Sequence, residues 1–109
     1  MTPPPLGQHF LTDTSVVKAI VESADLRSGD TVVEVGPGRG ALTTEIVSQS
    51  GKVLLIEYDA EMAERLAFKY ETNTNVNVIN LDARHFGSDS HTWLSDGNYK
   101  VVGNLPYYA

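Results

Sequence analysis

The chain has 109 residues, with 14 acidic against 8 basic side chains, a formal net charge of -6 and no cysteine. That length allows one domain at most, and the acidic balance argues against a strong nucleic-acid binder built from this stretch alone, because phosphate contacts need lysine and arginine. Disulfides, a thiolate nucleophile and a cysteine zinc site are excluded. No apolar run is long enough to span a bilayer, and the start lacks the regions of a secretory signal, so a cytoplasmic protein with no membrane partner is expected.

Pro3-Pro4-Pro5 predicts an extended tail over residues 1–6. Gly7 to Leu11 mixes apolar and polar residues without a period and is a candidate pocket lining. Thr12-Asp13-Thr14 can cap a helix whose Val16, Val17, Ile20, Val21 and Ala24 share one face and which ends near Asp25. Ser28-Gly29-Asp30 is turn material. It leads to Val32, Val33 and Val35, an apolar run that breaks at Gly36-Pro37-Gly38-Arg39-Gly40. A buried parallel strand turning sharply into a helix has this pattern.

A helix is then expected from Ala41 to Ser48, closed by Gly51, and a second buried strand over Val53-Leu54-Leu55-Ile56 that ends in Glu57. Asp59 is placed to cap a helix from Ala60 to about Glu71, with Glu61 and Glu64 early and Arg65 and Lys69 late, as the helix dipole favours. Val76 to Leu81 reads as a third strand with Asp82-Ala83-Arg84 at its exit. From Arg84 to Asn98 the pattern weakens, and His85, Phe86, Trp93 and Leu94 are assigned to one short helix between loops. Tyr99 to Gly103 reads as a fourth strand running into Asn104-Leu105-Pro106-Tyr107. Alternating strands and helices imply an α/β fold with a parallel sheet and right-handed crossovers. Ligands then collect at the carboxyl ends of the strands, where Gly36, Glu57, Asp82 and Asn104 all fall.

The glycine turn makes a seat for a ligand. Its glycines are spaced G-x-G-x-G after Glu34, not in the G-x-G-x-x-G of a pyrophosphate site, and an acid there suits a cationic ligand. Glu57, roughly 20 residues after the first glycine, stands where a carboxylate grips ribose hydroxyls. A nucleoside without phosphate fits both features, and S-adenosylmethionine is such a molecule. The bland readings stand beside these. Glu34 can be a partly buried acid accepting backbone N–H bonds, and Glu57 and Asp82 can be strand-end helix caps. Arg39 and Arg84 are expected to be solvated or salt-bridged. His85, His91 and Trp93 have no metal-ligand spacing, and no metal is expected.

Taken together, Glu34 to Thr43, the preceding Gly7-Gln8-His9-Phe10-Leu11 and the terminal Asn104-Leu105-Pro106-Tyr107 resemble the ribosomal RNA adenine N6,N6-dimethyltransferases, most closely the small-subunit branch. The resemblance implies a Rossmann-like S-adenosylmethionine-dependent methyltransferase fold, of which residues 7–109 supply the amino-terminal part with the first four strands in the order 3-2-1-4. It implies that His9 and Leu11 flank the cofactor and that Gly36 and Gly38 hold its methionine moiety. Glu57 would take the ribose hydroxyls, Tyr58 would lie against the adenine, and Asp82 would accept from its amino group beside Ala83. Asn104, Leu105, Pro106 and Tyr107 would carry the reaction. The Asn104 and Leu105 carbonyls accept from the target amine, Pro106 sets the backbone, and Tyr107 offers a face on which the base stacks.

Dimethylation of two adjacent adenines in small-subunit ribosomal RNA, in ribosome biogenesis, is the implied activity. This chain is expected to bind cofactor but to turn over poorly, because family members continue past this point. Its fourth strand would leave a bare edge through which two copies can associate. The competing readings are a large-subunit RNA adenine methyltransferase, a non-catalytic ribosome-assembly or RNA-binding module, and a nicotinamide oxidoreductase, which the glycine spacing disfavours.

Overall fold

A computed structural model describes residues 14–103, and within them strand and helix alternate as expected. Helix α1 (Thr14–Ala24) is followed by β1 (Thr31–Val35), α2 (Ala41–Gln49), β2 (Lys52–Glu57), α3 (Ala60–Lys69), β3 (Val76–Asn80) and β4 (Lys100–Gly103). The sheet order is β3-β2-β1-β4, and every neighbouring pair is parallel. The proline tail, the Thr12-Asp13 cap, His9, Leu11 and Asn104 to Tyr107 lie outside the described residues.

Both faces of the two inner strands are covered, and apart from Glu34 their buried positions between the strand ends are apolar. Val32, Val33, Val53, Leu54 and Leu55 have no exposed surface, and burying each such side chain contributes about 1.5–3 kcal/mol. Side chains alternate along a strand. Val32, Val53 and Leu55 therefore meet Val17 and Val21 of α1, Leu42 and Ile46 of α2 and Leu66 of α3 on one face. Val33, Val35, Leu54 and Ile56 pack with Leu94 on the other. The rim strand β3 is covered less completely: it carries Asn77 and Asn80 among its apolar residues, and only Val76 is buried.

Local chemistry sets the helix ends. The Asp59 carboxylate accepts from the Met62 backbone N–H at 2.9 Å and so caps α3, while Arg65 pairs with Glu61 one turn away. Helix α2 closes on Ser50, whose N–H donates to the Ile46 carbonyl, and not on Gly51. Gly51 instead lies against the Ser28 and Asp30 carbonyls, which would stand 2.7 and 3.0 Å from any Cβ there. Lys100 places its three N–H donors on the Ala24 and Asp25 carbonyls and the Asp30 carboxylate, fastening β4 to the end of α1. This hydrogen bond from Lys100, reinforced by the Arg27 backbone N–H, lowers the Asp30 carboxyl below its ordinary range.

The short helix expected between Arg84 and Asn98 is not formed. Three 3-10 turns stand there instead, at Ala83–His85, Ser88–Ser90 and Thr92–Leu94. Side chains that satisfy the backbone locally interrupt it each time. The Asp82 carboxylate accepts from Arg84 N–H, the Ser90 hydroxyl from Gly87 N–H, and His91 Nδ1 from Trp93 N–H. The segment is held to the sheet by Leu94, which is fully buried, and by Phe86 packed edge-on to Tyr99.

Candidate cofactor site

Strand ends create this site. Gly36 follows β1 and its N–H donates to the Ile56 carbonyl at 2.9 Å, so the turn leaves the sheet beside β2. Gly36 and Gly38 have φ of 70° and 55°, a region in which a side chain is strained. The turn is then tied down from the next strand. Gly38 N–H donates to Glu57 Oε1 at 3.0 Å, and Asp59 N–H donates to Glu57 Oε2 at the same distance. Glu57 is 8% exposed at the end of β2, so one carboxylate organises both the glycine turn and the start of α3.

Tyr58, the next residue, is 73% exposed. Its backbone is held by Asn80 at the end of β3, whose amide donates to the Glu57 and Tyr58 carbonyls, both at 2.9 Å. Leu81 N–H donates to the Glu57 carbonyl at 3.1 Å, which brings the exit of β3 beside the exit of β2. There Asp82 caps the first 3-10 turn, and Ala83 packs against the cluster under Leu94. The Arg84 guanidinium lies on the same carboxylate, with Nε at 3.1 Å from both oxygens and Nη2 at 2.6 Å from Oδ2. That contact holds the Asp82 carboxyl well below the usual range, at about 2. The salt-bridged reading of Arg84 therefore holds, and so does the capping role of Asp82; Arg39 is exposed.

Gly36, Gly38, Glu57, Tyr58, Asp82 and Ala83 thus share one ledge at the carboxyl ends of β1, β2 and β3. Strand β4 reaches the same level, since Gly103 pairs with Val35. His9, Leu11, Asn104, Leu105, Pro106 and Tyr107 were assigned to this site from the sequence and lie outside the described residues. A groove between α1 and α2, lined by Val17, Lys18, Val21, Glu45 and Gln49, reaches the start of α2 at Ala41, and none of the ledge residues lines it.

Glu34 is not at the mouth. It is 1% exposed on the helix-covered face of β1 and accepts a hydrogen bond from the Thr43 hydroxyl of α2. Burial pushes its carboxyl up to about 7, the Thr43 bond opposes that rise, and the Glu57 charge adds to it. The expectation of a partly buried acid on backbone N–H donors is corrected on both counts: the side chain is fully buried, and its donor is a side-chain hydroxyl on another element. Sequence reasoning missed Thr43, Asn80 and the Asp82 partner of Arg84. Each is a polar residue adjoining a turn or strand end, a weak signal until the register is known.

Chemically, the ledge offers two carboxylates as acceptors, one exposed aromatic face and a glycine turn open to close approach. Hydroxyl and amine hydrogens suit it, and a phosphate would be opposed by both acids.

The family model for ribosomal RNA adenine dimethylase matches residues 4–109. The chain is 42% identical over 103 residues to ribosomal RNA small subunit methyltransferase A of Dehalococcoides mccartyi, covering 94% of this chain and 35% of that protein. The corresponding protein of Coxiella burnetii is 40% identical over 101 residues, covering 93% and 38%. The chain therefore spans little more than a third of the curated relatives it matches. Among solved structures, the 23S rRNA methyltransferase ErmE aligns with a TM-score of 0.64 at 35% identity, over 71% of this chain and 32% of that one. A dimethyladenosine transferase from Plasmodium falciparum aligns with a TM-score of 0.61 at 28% identity, over 69% and 28%. The sheet is the first part of the Rossmann-like S-adenosylmethionine-dependent methyltransferase fold, and the chain belongs to the ribosomal RNA adenine dimethylase family.

Proposed function

We propose that this chain belongs to an enzyme that transfers methyl groups from S-adenosylmethionine to the exocyclic nitrogens of two adjacent adenines in small-subunit ribosomal RNA. The observation behind the cofactor part is the Glu57 carboxylate, which holds the Gly38 turn while standing beside Tyr58 and Asp82 on one ledge. The donor set fits that molecule. Two carboxylates suit its ribose hydroxyls and purine amine, the aromatic face suits its base, and a phosphate-free seat suits its methionine end.

In this reading Glu57 accepts from the ribose, Asp82 from the adenine amine beside Ala83, and Tyr58 packs on the ring. Gly36 and Gly38 lie along the methionine moiety, with His9 and Leu11 flanking. When bound, the cofactor supplies an electrophilic methyl on its sulfonium. The chain's task is to orient the acceptor nitrogen, whose lone pair is delocalised into the purine. Asn104 and Leu105 carbonyls accept its two N–H groups, Pro106 fixes their direction, and Tyr107 stacks the extruded base, roles that rest on the family resemblance. Positioning supplies much of the rate, and no strong general base is required. The same reading makes small-subunit RNA the partner, in ribosome biogenesis in the cytoplasm.

Relatives named for the small subunit, at 40–42% identity, support that substrate. The large-subunit reading draws on the alignment with a 23S enzyme. Methylation of each purified subunit by the protein decides between them: label in the small subunit alone supports the proposal, and label in the large subunit alone overturns it. Asn104→Ala is expected to abolish transfer and keep S-adenosylhomocysteine affinity, whereas an RNA-binding module would be indifferent to it. Calorimetry should give binding of S-adenosylhomocysteine and none of NAD.

A further inference from the structure

We propose that Arg84 is a built-in competitor for the Asp82 carboxylate, setting how tightly and how selectively the ledge takes an adenine ring. The inference rests on the reading of Asp82 as the purine acceptor and goes beyond it, because Arg84 has so far had no functional part.

A carboxylate has room for about four hydrogen bonds. Asp82 already receives the Arg84 backbone N–H at 2.9 Å, Nε–H shared between both oxygens, and Nη2–H at 2.6 Å. A purine amine arriving from the open side must therefore displace part of the guanidinium or share the oxygens with it. The competitor is local, two residues away, and its side chain is 83% exposed against 20% for Asp82. Turning the guanidinium outward thus buries nothing and strains no neighbour. An incoming base bearing a carbonyl instead of an amine would meet the opposite situation. It would be repelled by Asp82 and could accept from the displaced guanidinium. Arg84 therefore narrows the preference for adenine while weakening its binding.

Calorimetry on the chain, with S-adenosylhomocysteine and its hypoxanthine analogue S-inosylhomocysteine as ligands, tests this. Arg84→Met keeps the aliphatic stem and should bind S-adenosylhomocysteine about two- to five-fold more tightly, the range set by an exposed ion pair. The same variant should bind the hypoxanthine analogue no better, so its adenine preference widens. Raising salt should bring the wild-type affinity toward that of Arg84→Met and leave the variant unchanged. Arg84→Lys, charged but unable to form the two-point contact, should fall between. Equal or weaker S-adenosylhomocysteine binding by Arg84→Met, with Asp82→Asn also weaker, overturns the proposal and makes Arg84 a clamp on the ligand. If Asp82→Asn binds as wild type while Glu57→Gln does not bind, the competitor fails and the cofactor reading survives. Absence of binding by the wild-type chain removes both.

Discussion

Glu34 shows how one buried side chain couples the core to solution pH. Its carboxyl is raised from an ordinary 4.5 to about 7, chiefly by burial. Between those values the folded protein holds a proton that the unfolded chain has released, so stability falls as pH rises from about 4.5 to about 7 and levels off above. A shift of that size corresponds to a loss on the order of 3 kcal/mol. Glu34→Gln should therefore unfold at higher denaturant than wild type at pH 8 and match it near pH 4.5; parallel curves at both would rule the account out. Thr43→Val keeps the shape and removes the opposing hydroxyl. It should cost about 1–3 kcal/mol, with the larger loss at pH 8, and urea titrations at the two pH values check this. At this scale the sequence was legible where a residue's meaning is local. Gly36, Gly38, Glu57 and Asp82 stand at the strand ends and the glycine turn where the sequence pattern puts them, because such turns mark themselves. Glu34 was ambiguous because its partner, Thr43, is on another element, and Asn80 serves two carbonyls across a strand pair.

Elements were legible in proportion to their periodicity. Helix α1 has apolar residues at 17, 20, 21 and 24, and β1 and β2 are short apolar runs, so their bounds fell within a residue or two. The stretch from 84 to 98 has no such period, and its capping side chains favour single turns over a continuous helix. Three one-turn pieces hold few backbone bonds of their own. Their attachment to the sheet depends on Leu94, which has no exposed surface among Val33, Val35, Leu54 and Ile56. Leu94→Ala should cost about 2–5 kcal/mol. Hydrogen exchange should then show residues 83–99 opening before the sheet does, and uniform loss across the chain would contradict that division. The three-residue turn that Asp82 caps and that carries Arg84 belongs to this segment, so its loosening should weaken ligand binding as well.

For the molecule as a whole, the parallel sense followed from the alternation of strands and helices and the order 3-2-1-4 from the family resemblance, and both are observed. Among the described residues the outer edge of β4 has no partner strand. Val101 there is 56% exposed, and the one charged side chain of the strand, Lys100, is turned back onto the end of α1. An edge without an outward charge invites pairing. Sedimentation of the chain is expected to show dimers increasing with concentration, suppressed by Val101→Lys; a monomer throughout would dismiss this surface as an interface.

The proposed cofactor seat is one ledge at the carboxyl ends of the parallel strands, suited to a phosphate-free nucleoside. Backbone amide shifts of the isotope-labelled chain, followed by NMR as S-adenosylhomocysteine is added, test it residue by residue. The largest changes are expected at Gly36, Gly38, Glu57, Tyr58, Asp82 and Ala83, with Lys18, Glu45 and Gln49 of the α1–α2 groove unmoved. Changes concentrated in that groove, with the ledge silent, would contradict it.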